Sequence, residues 1–229
     1  MVKRMILLSV VIGLCLGVSC TIIPDGVLPG TSTPLDKANA TITITEAPGA
    51  TSADVAADIA DSAGRTVLMT TGQAVSVNGM MLTGPDAVGE YTASVPMTDT
   101  YAIRVQEPTR GVQTTAIDAP ATFVITAPAA GGAAPLSGFT LQWSNANDRL
   151  QVEIRIAQVV LGDTSSQKYG PFTDTGTRQF LAADLVPYFV QGADLTITVT
   201  RFSQTPVAGF SSGTASVRVS ASETVVPRP

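Results

Sequence analysis

Apolar and polar residues alternate in short segments along most of this chain, and this period of two constrains its fold more than any other feature. Ile42 and Ile44 alternate with threonines near the beginning. The same pattern returns late in the chain at Leu195, Ile197 and Val199. Successive side chains of a β-strand point to opposite faces, so the alternation predicts strands with one buried and one solvated face. We therefore expect an all-β protein.

The segment 51–61 shows the same alternation but leaves a short helix open as an alternative. Val55 and Ile59 lie at the spacing of a half-buried strand. Thr51 and Asp54, in contrast, fit the capping box with which a helix can begin. Of the two we favour the strand, which extends the all-β prediction to this segment.

A hairpin is predicted at Asn78-Gly79. This dipeptide separates Val75-Ser76-Val77 from Met80-Met81-Leu82. Asn and Gly tolerate the positive φ angles that a type I′ turn requires, and such turns join strands that pair directly. We therefore expect two paired strands on either side of the turn.

The second half of the chain repeats the alternating pattern around its single tryptophan. Phe139, Leu141 and Trp143 share one face of a predicted strand. This strand is followed by a charged turn, a long alternating strand and a corner at Leu185, an order that resembles the fibronectin type III or immunoglobulin-like class over residues 139–220. The resemblance implies a β-sandwich. We expect two tandem immunoglobulin-like or fibronectin type III-like β-sandwich domains.

The chain begins with a basic segment followed by an uncharged apolar run. Two basic residues precede Met5–Val18, whose 14 residues are fewer than the roughly 20 that a membrane-spanning helix needs. Ser19 supplies the small residue that a signal peptidase accepts, directly before Cys20. These features predict a signal peptide rather than a buried core helix, and hence export from the cytoplasm.

The end of this segment, Leu16-Gly17-Val18-Ser19-Cys20, resembles the lipobox of bacterial lipoproteins. In that family the cysteine becomes the lipidated first residue of the mature chain. The resemblance implies a lipid anchor at Cys20 in the bacterial cell envelope, at the outer membrane or the cell surface. The family usually carries leucine where Gly17 stands, and cleavage without lipid attachment is the alternative.

Proline, glycine and small polar residues mark two breaks in the alternating pattern. The stretch between Cys20 and Asn39 contains three prolines and two glycines, which predicts a tether. A second break at Pro120 separates the two strand-rich halves. The predicted organisation is a signal peptide (1–19), a lipid-attachment cysteine with its tether (20–39), a first β-sandwich domain (40–119), a second, fibronectin type III-like domain (120–222) and a C-terminal tail (223–229).

Residue types on which many enzymes and metal sites rely are missing from the chain. It has no histidine, which removes the commonest general base and metal ligand. Cys15 and Cys20 both belong to the predicted signal region, so the mature body has no disulfide. Without Lys3 and Arg4, 11 basic side chains stand against 18 acidic ones, a net charge of −7. We expect no cofactor, no metal site and no nucleic-acid partner.

Two short motifs resemble catalytic signatures. Asp174-Thr175-Gly176 resembles the aspartic-protease signature, in which two aspartates share a proton. The chain has no second copy, and we expect a turn between strands. Ser165-Ser166-Gln167-Lys168 matches the Ser-x-x-Lys of penicillin-binding proteins and class A β-lactamases, where one helical turn separates the two residues. It lies in a polar stretch between predicted strands, so we expect no catalysis from it.

Three acidic residues and the tryptophan are further candidates for binding. Asp54, Asp58 and Asp61 are spread over an alternating segment, whereas a calcium site needs oxygen ligands at tight loop spacing. We expect these carboxylates to form a solvated face. Trp143 is in phase with apolar residues, so we expect it in a core rather than as a platform for a sugar ring.

Tyr188 and Phe189, next to Pro187, are the candidates for a contact patch on the surface, and the alternative is that they plug a corner of the sandwich. We expect a non-enzymatic, lipid-anchored envelope protein whose β-sandwich domains contact or assemble with another envelope protein. The alternative is a glycan-binding or surface-adhesion module for polysaccharide, which exposed aromatic side chains around one rim would indicate. An enzyme would need two carboxylates facing each other across a cleft, at roughly 5–9 Å for a glycosidase.

Overall fold

The computed structural model describes residues 30–228. The predicted signal peptide, Cys20 and the first part of the tether lie outside this range. Within it, helix is confined to α1 (Ala182–Leu185) and a 3-10 turn at Leu35–Lys37. The prediction of an all-β fold is confirmed.

The strands are β1 (Asn39–Glu46), β2 (Ser52–Ala60), β3 (Ala74–Val77), β4 (Met80–Met81), β5 (Glu90–Pro96), β6 (Thr100–Glu107), β7 (Gly111–Asp118), β8 (Ile125–Ala127), β9 (Gly138–Trp143), β10 (Gln151–Val160), β11 (Asp163–Thr173), β12 (Thr177–Leu181), β13 (Leu195–Pro206) and β14 (Ser212–Val225).

The strands form one large sheet and two small ones. The large sheet has seven strands in the order β11-β10-β13-β14-β1-β2-β5. A four-stranded sheet has the order β4-β3-β6-β7, and a three-stranded sheet has the order β12-β9-β8. β1 pairs in parallel with β14, with Ile42 opposite Ala215, and antiparallel with β2. The first and last strands of the described chain therefore lie side by side inside the large sheet.

Two hydrophobic cores lie between the large sheet and the small ones. The first core joins β1, β2 and β5 to the four-stranded sheet and includes Ile42 and Ile103. The second core joins β10 and β13 to the three-stranded sheet and includes Trp143 and Ile154. We call the two halves of the molecule the first lobe and the second lobe. Each lobe has the two facing layers of a β-sandwich.

β14 runs through both lobes. Its residues Ala215 and Val217 belong to the first core, and Val219 belongs to the second. Side chains two residues apart on a strand share a face, so both cores lie on the same side of the large sheet. The expected division into tandem domains at Pro120 is not confirmed, because a strand from the segment 120–222 completes the first core. Local sequence patterns predict the strands, but they do not show that β14 pairs with β1 of the first lobe.

Two local predictions are confirmed. The segment 51–61 forms a strand rather than a helix, with Val55 and Ile59 buried in the first core. Asn78 and Gly79 adopt φ angles of 50° and 80° and join β3 to β4. In both cases the deciding signal is local, because it depends on alternation or on the φ angles that a turn requires.

The last part of the predicted tether packs on the first lobe. Thr31 pairs with Val67 in an isolated parallel bridge, and the side chain of Leu35 is fully buried. The backbone N–H of Leu35 donates to Oε2 of the buried Glu107 over 2.9 Å. The packed body therefore begins earlier than the sequence indicates. At the other end, β14 continues to Val225 and so extends into the predicted tail.

Candidate functional site

Asp174, the aspartate of the Asp-Thr-Gly motif, lies between β11 and β12. The motif joins two strands as predicted, but the Asp174 side chain is only 1% exposed. Trp143 donates its indole N–H to Oδ1 over 2.6 Å. The backbone N–H of Asn147 donates to Oδ2 over 3.2 Å, and Nε of Arg201 lies 2.6 Å from the same oxygen. Both carboxylate oxygens are thus occupied by protein groups.

Arg201, on β13, is fully buried and forms an ion pair with Asp174. Its guanidinium donates to the carbonyl oxygens of Ala121 over 2.9 Å and Ser144 over 3.1 Å. It also lies over the ring of Phe123, 4.4 Å from the centroid. A buried ion pair is tolerated when further hydrogen bonds satisfy its donors and acceptors. Nη1 and Nη2 have such partners, whereas Nε lies close to the carboxylate without the geometry of a hydrogen bond. The pair fastens the segment around Ala121 to the second lobe.

These contacts give Asp174 a structural role. The aspartic-protease arrangement needs two carboxylates that share a proton, whereas Asp174 faces a guanidinium. A surface pocket of about 540 Å³ opens beside the ion pair and is also lined by Asp148. Sequence reasoning missed Arg201, although a signal was present. Arg201 is in phase with the apolar residues of β13, and this phase places it on the buried face.

A second surface pocket lies where the two lobes meet, and we call it the junction pocket. Its volume is about 510 Å³, and it is lined by Glu46, the β5–β6 turn (97–99) and the segment 119–122. Glu46 ends β1 in phase with the buried isoleucines and is 4% exposed. Tyr101 donates its hydroxyl to Oε1 of Glu46 over 2.8 Å. Burial and the hydrogen bond to the Glu46 carboxylate raise the pKa of Tyr101, so the phenol remains a donor.

The predicted contact patch is only partly on the surface. Tyr188 is 46% exposed, whereas Phe189 is 3% exposed and belongs to the second core. The two residues follow α1, and their rings meet edge to face at an interplanar angle of 61°. Tyr188 therefore offers contact area together with its exposed neighbours Val186 and Val190.

The three acidic candidates do not come together. Asp54 and Asp58 are exposed on β2, as expected for a solvated face. Asp61 is buried, and its Oδ2 accepts hydrogen bonds from Nε and Nη2 of Arg65 over 2.9 and 2.7 Å. Within residues 30–228, no three His, Cys, Asp or Glu side chains are arranged to hold a metal ion. Trp143 is in the second core, as predicted.

The Ser-x-x-Lys motif lies on β11 rather than on a helix. Residues three apart on a strand point to opposite faces, so Ser165 and Lys168 face away from each other. Lys168 instead forms an ion pair with Glu153, with 2.8 Å between Nζ and Oε1. The pairing of a serine nucleophile with a lysine is therefore not formed here.

The face of the large sheet that points away from the two cores is rich in hydroxyl groups, and we call it the outer face. Two pairs of these hydroxyls bond across neighbouring strands, Thr198 with Ser222 at 2.8 Å and Thr200 with Ser220 at 2.9 Å. All of them are exposed or half-buried. The outer-face hydroxyl residues include Thr41, Thr43, Thr45, Thr92, Ser94, Thr196, Thr198, Thr200, Thr214, Ser220, Ser222 and Thr224.

Comparison with known proteins gives no family for this chain. No protein-family model matches it, and no curated protein matches it. No helix within residues 30–228 is both long and apolar enough to cross a membrane. Function is therefore inferred from the buried charges, the pockets and the outer face.

Proposed function

We propose that this chain is a non-enzymatic, lipid-anchored protein of the bacterial cell envelope that presents its β lobes to another envelope protein. The observation that supports this most is the outer face. Seven strands spaced about 4.8 Å apart make a surface about 30 Å wide, and the 14 residues of β14 extend along it. A protein contact of standard size needs about 800 Å² on each partner, which such a surface can supply.

Charge on the outer face is divided between its two sides. Asp54 and Asp58 lie on β2, near one edge of the sheet. Arg155 and Lys168 lie opposite each other on β10 and β11, at the other edge. Glu153 neutralises part of that basic side through its ion pair with Lys168. Separated charges of this kind orient a partner and reject wrongly placed ones, which favours a specific contact.

The anchor is proposed from the sequence around Cys20, outside the described residues. The packed body begins near Thr31, so about ten residues connect it to the cysteine. Ten residues reach at most about 33–36 Å when fully extended. Lipid at Cys20 would thus hold the body close to the membrane, at the outer membrane or the cell surface. The immunoglobulin-like or fibronectin type III-like character of the two lobes belongs to the same proposal.

Substitution of Cys20 tests the anchor. We expect cells that express the wild-type chain to incorporate a labelled fatty acid into it. The Cys20→Ala variant should lose the label, because it lacks the cysteine that would carry the acyl chains, and with them the stable membrane residence that acyl chains provide. Cys15→Ala is the matched control and should keep the label, since this cysteine lies within the signal peptide. Labelling that persists in Cys20→Ala would remove the lipid from the proposal.

Site-specific photocrosslinking in intact cells tests the contact. A photoreactive residue at Thr41 or Ser222, both exposed on the outer face, is expected to give one discrete protein adduct. The same residue at Gln106, exposed on β6 of the four-stranded sheet, is the control and should give none. Adducts from all three positions, or from none, would contradict a specific contact through the outer face.

A glycan-binding module is the alternative to the protein contact. Tyr188 is the one well-exposed aromatic side chain within residues 30–228, whereas a sugar-binding rim of aromatic platforms needs several. Binding of the purified chain to polysaccharides on a glycan array, together with the absence of protein adducts, would replace the protein contact with a glycan contact.

A further inference from the structure

Glu46 is a buried carboxylate that forms no ion pair within residues 30–228. Tyr101 occupies Oε1, but Oε2 accepts no hydrogen bond within residues 30–228. No lysine or arginine of this part of the chain forms an ion pair with Glu46. A carboxylate removed from water is costly unless hydrogen bonds and an opposite charge compensate it. Oε2 of Glu46 opens into the junction pocket, so a donor or a positive group from outside the protein can reach it.

The basic residue nearest to Glu46 across the sheet is already engaged. Val219 pairs with Glu46 on one side and with Arg201 on the other, so these three residues share one row and one face. The charge of Arg201 is neutralised by Asp174, 2.6 Å away. Nη1 and Nη2 each donate to a backbone carbonyl, so Arg201 has no free charge to offer the junction pocket.

The junction pocket has the surroundings that an organic cation needs. Asp99 and Thr98 lie on one wall, and the apolar Met97 and Pro120 supply surface for a carbon stem. Neither lysine nor arginine lines it. Two of its lining segments are joined, because the backbone N–H of Ala119 donates to the carbonyl oxygen of Asp99 over 2.8 Å.

We propose that the junction pocket binds a small organic cation, an ammonium or guanidinium group, on the free oxygen of Glu46. A divalent metal fits less well, since calcium takes six to eight oxygen ligands and the pocket offers only two carboxylates. The volume of about 510 Å³ lies within the range of small-molecule sites. The group comes either from a free amine or from the basic side chain of a peptide. This inference goes beyond the proposed envelope contact and does not depend on it.

Titration of the purified chain, followed by the chemical shifts of its backbone amides, tests the inference. The probes are n-butylammonium, n-butylguanidinium, neutral n-butanol and calcium. The two organic cations are expected to shift amides of residues 98–99 and 119–122, while butanol leaves them unchanged. Shifts scattered over the acidic surface, or tighter binding of calcium at the same amides, would overturn the proposal. A lysine-containing peptide that binds tenfold more tightly than n-butylammonium identifies a side chain as the source, and equal binding identifies a free amine.

Variants of the pocket carboxylates provide a second test of cation binding. Glu46→Gln keeps the volume and an acceptor for Tyr101 but removes the charge, and it is expected to weaken n-butylammonium binding at least tenfold. Asp99→Asn, at an exposed position that should not affect folding, is expected to weaken binding several-fold. Asp58→Asn, an exposed carboxylate on the outer face, is the control and should bind like wild type. Equal affinity in wild type and in either pocket variant would refute the assignment. If Glu46→Gln folds poorly, Asp99→Asn alone decides.

Discussion

Replacing Asp174 by asparagine is expected to lower the free energy of unfolding by about 3–5 kcal/mol, the usual cost of removing one partner from a buried ion pair. The substitution leaves the guanidinium of Arg201 fully buried without a counter-charge. It also replaces one acceptor oxygen by a donor beside the indole N–H of Trp143 and the backbone N–H of Asn147. Several contacts fail together, so the effect should be among the largest of any single substitution.

A double-mutant cycle in urea, followed by circular dichroism, measures this cost. Arg201→Met should destabilise the protein to a similar extent, because it leaves Asp174 buried and unpaired. The double variant Asp174→Asn/Arg201→Met should lose clearly less than the sum of the two single losses, since neither charge then remains. Asp148→Asn, an exposed carboxylate that lines the neighbouring pocket, is the control and should change stability by at most about 0.5 kcal/mol. Additive losses would show that the two charges do not stabilise each other.

Sequence patterns predicted the strands because strand signals are local. Ile42 and Ile44 reveal a buried face by alternation alone, and the burial of β1 follows it residue by residue. Asn78-Gly79 predicts its hairpin because few other dipeptides accept two positive φ angles. The Asp-Thr-Gly segment was expected between strands and lies there. What these patterns have in common is that neighbouring residues are sufficient to decide the structure.

The buried charges and the shared sheet could not be predicted in the same way. Glu46 and Arg201 do carry a signal, since each continues the buried phase of its strand. Their partners Tyr101 and Asp174 are far away in sequence, and nothing local connects them. The burial of Phe189 beside an exposed Tyr188 likewise depends on how the segment after α1 meets the second core.

The lobes were expected to be separate domains for the same reason. Parallel pairing of β1 with β14 joins the two ends of the described chain, and no spacing within either half reports it. All twelve residues of β13 pair with β14, and β14 contributes residues to both cores. Loss of order in one lobe therefore removes hydrogen-bond partners and core residues from the other.

This arrangement predicts that the two lobes unfold together. Ile42→Ala deletes a fully buried side chain of the first core and is expected to lower the free energy of unfolding by about 2–5 kcal/mol. Trp143, the single tryptophan, lies in the second core and reports on the second lobe by its fluorescence. Because β14 couples the cores, we expect the urea midpoint of the Trp143 signal to fall by the same amount as the midpoint from circular dichroism.

Two further variants make the test decisive. Thr43→Ala changes the neighbouring residue on the outer face, where it leaves both cores intact, and should shift neither midpoint by more than a small amount. Ile156→Ala removes a buried side chain from the second core and should lower both midpoints as Ile42→Ala does. If the Trp143 transition stayed unchanged in Ile42→Ala, the lobes would be independent domains. Coincident transitions in all variants would instead mean that the sheet, and not either lobe, is the unit that folds.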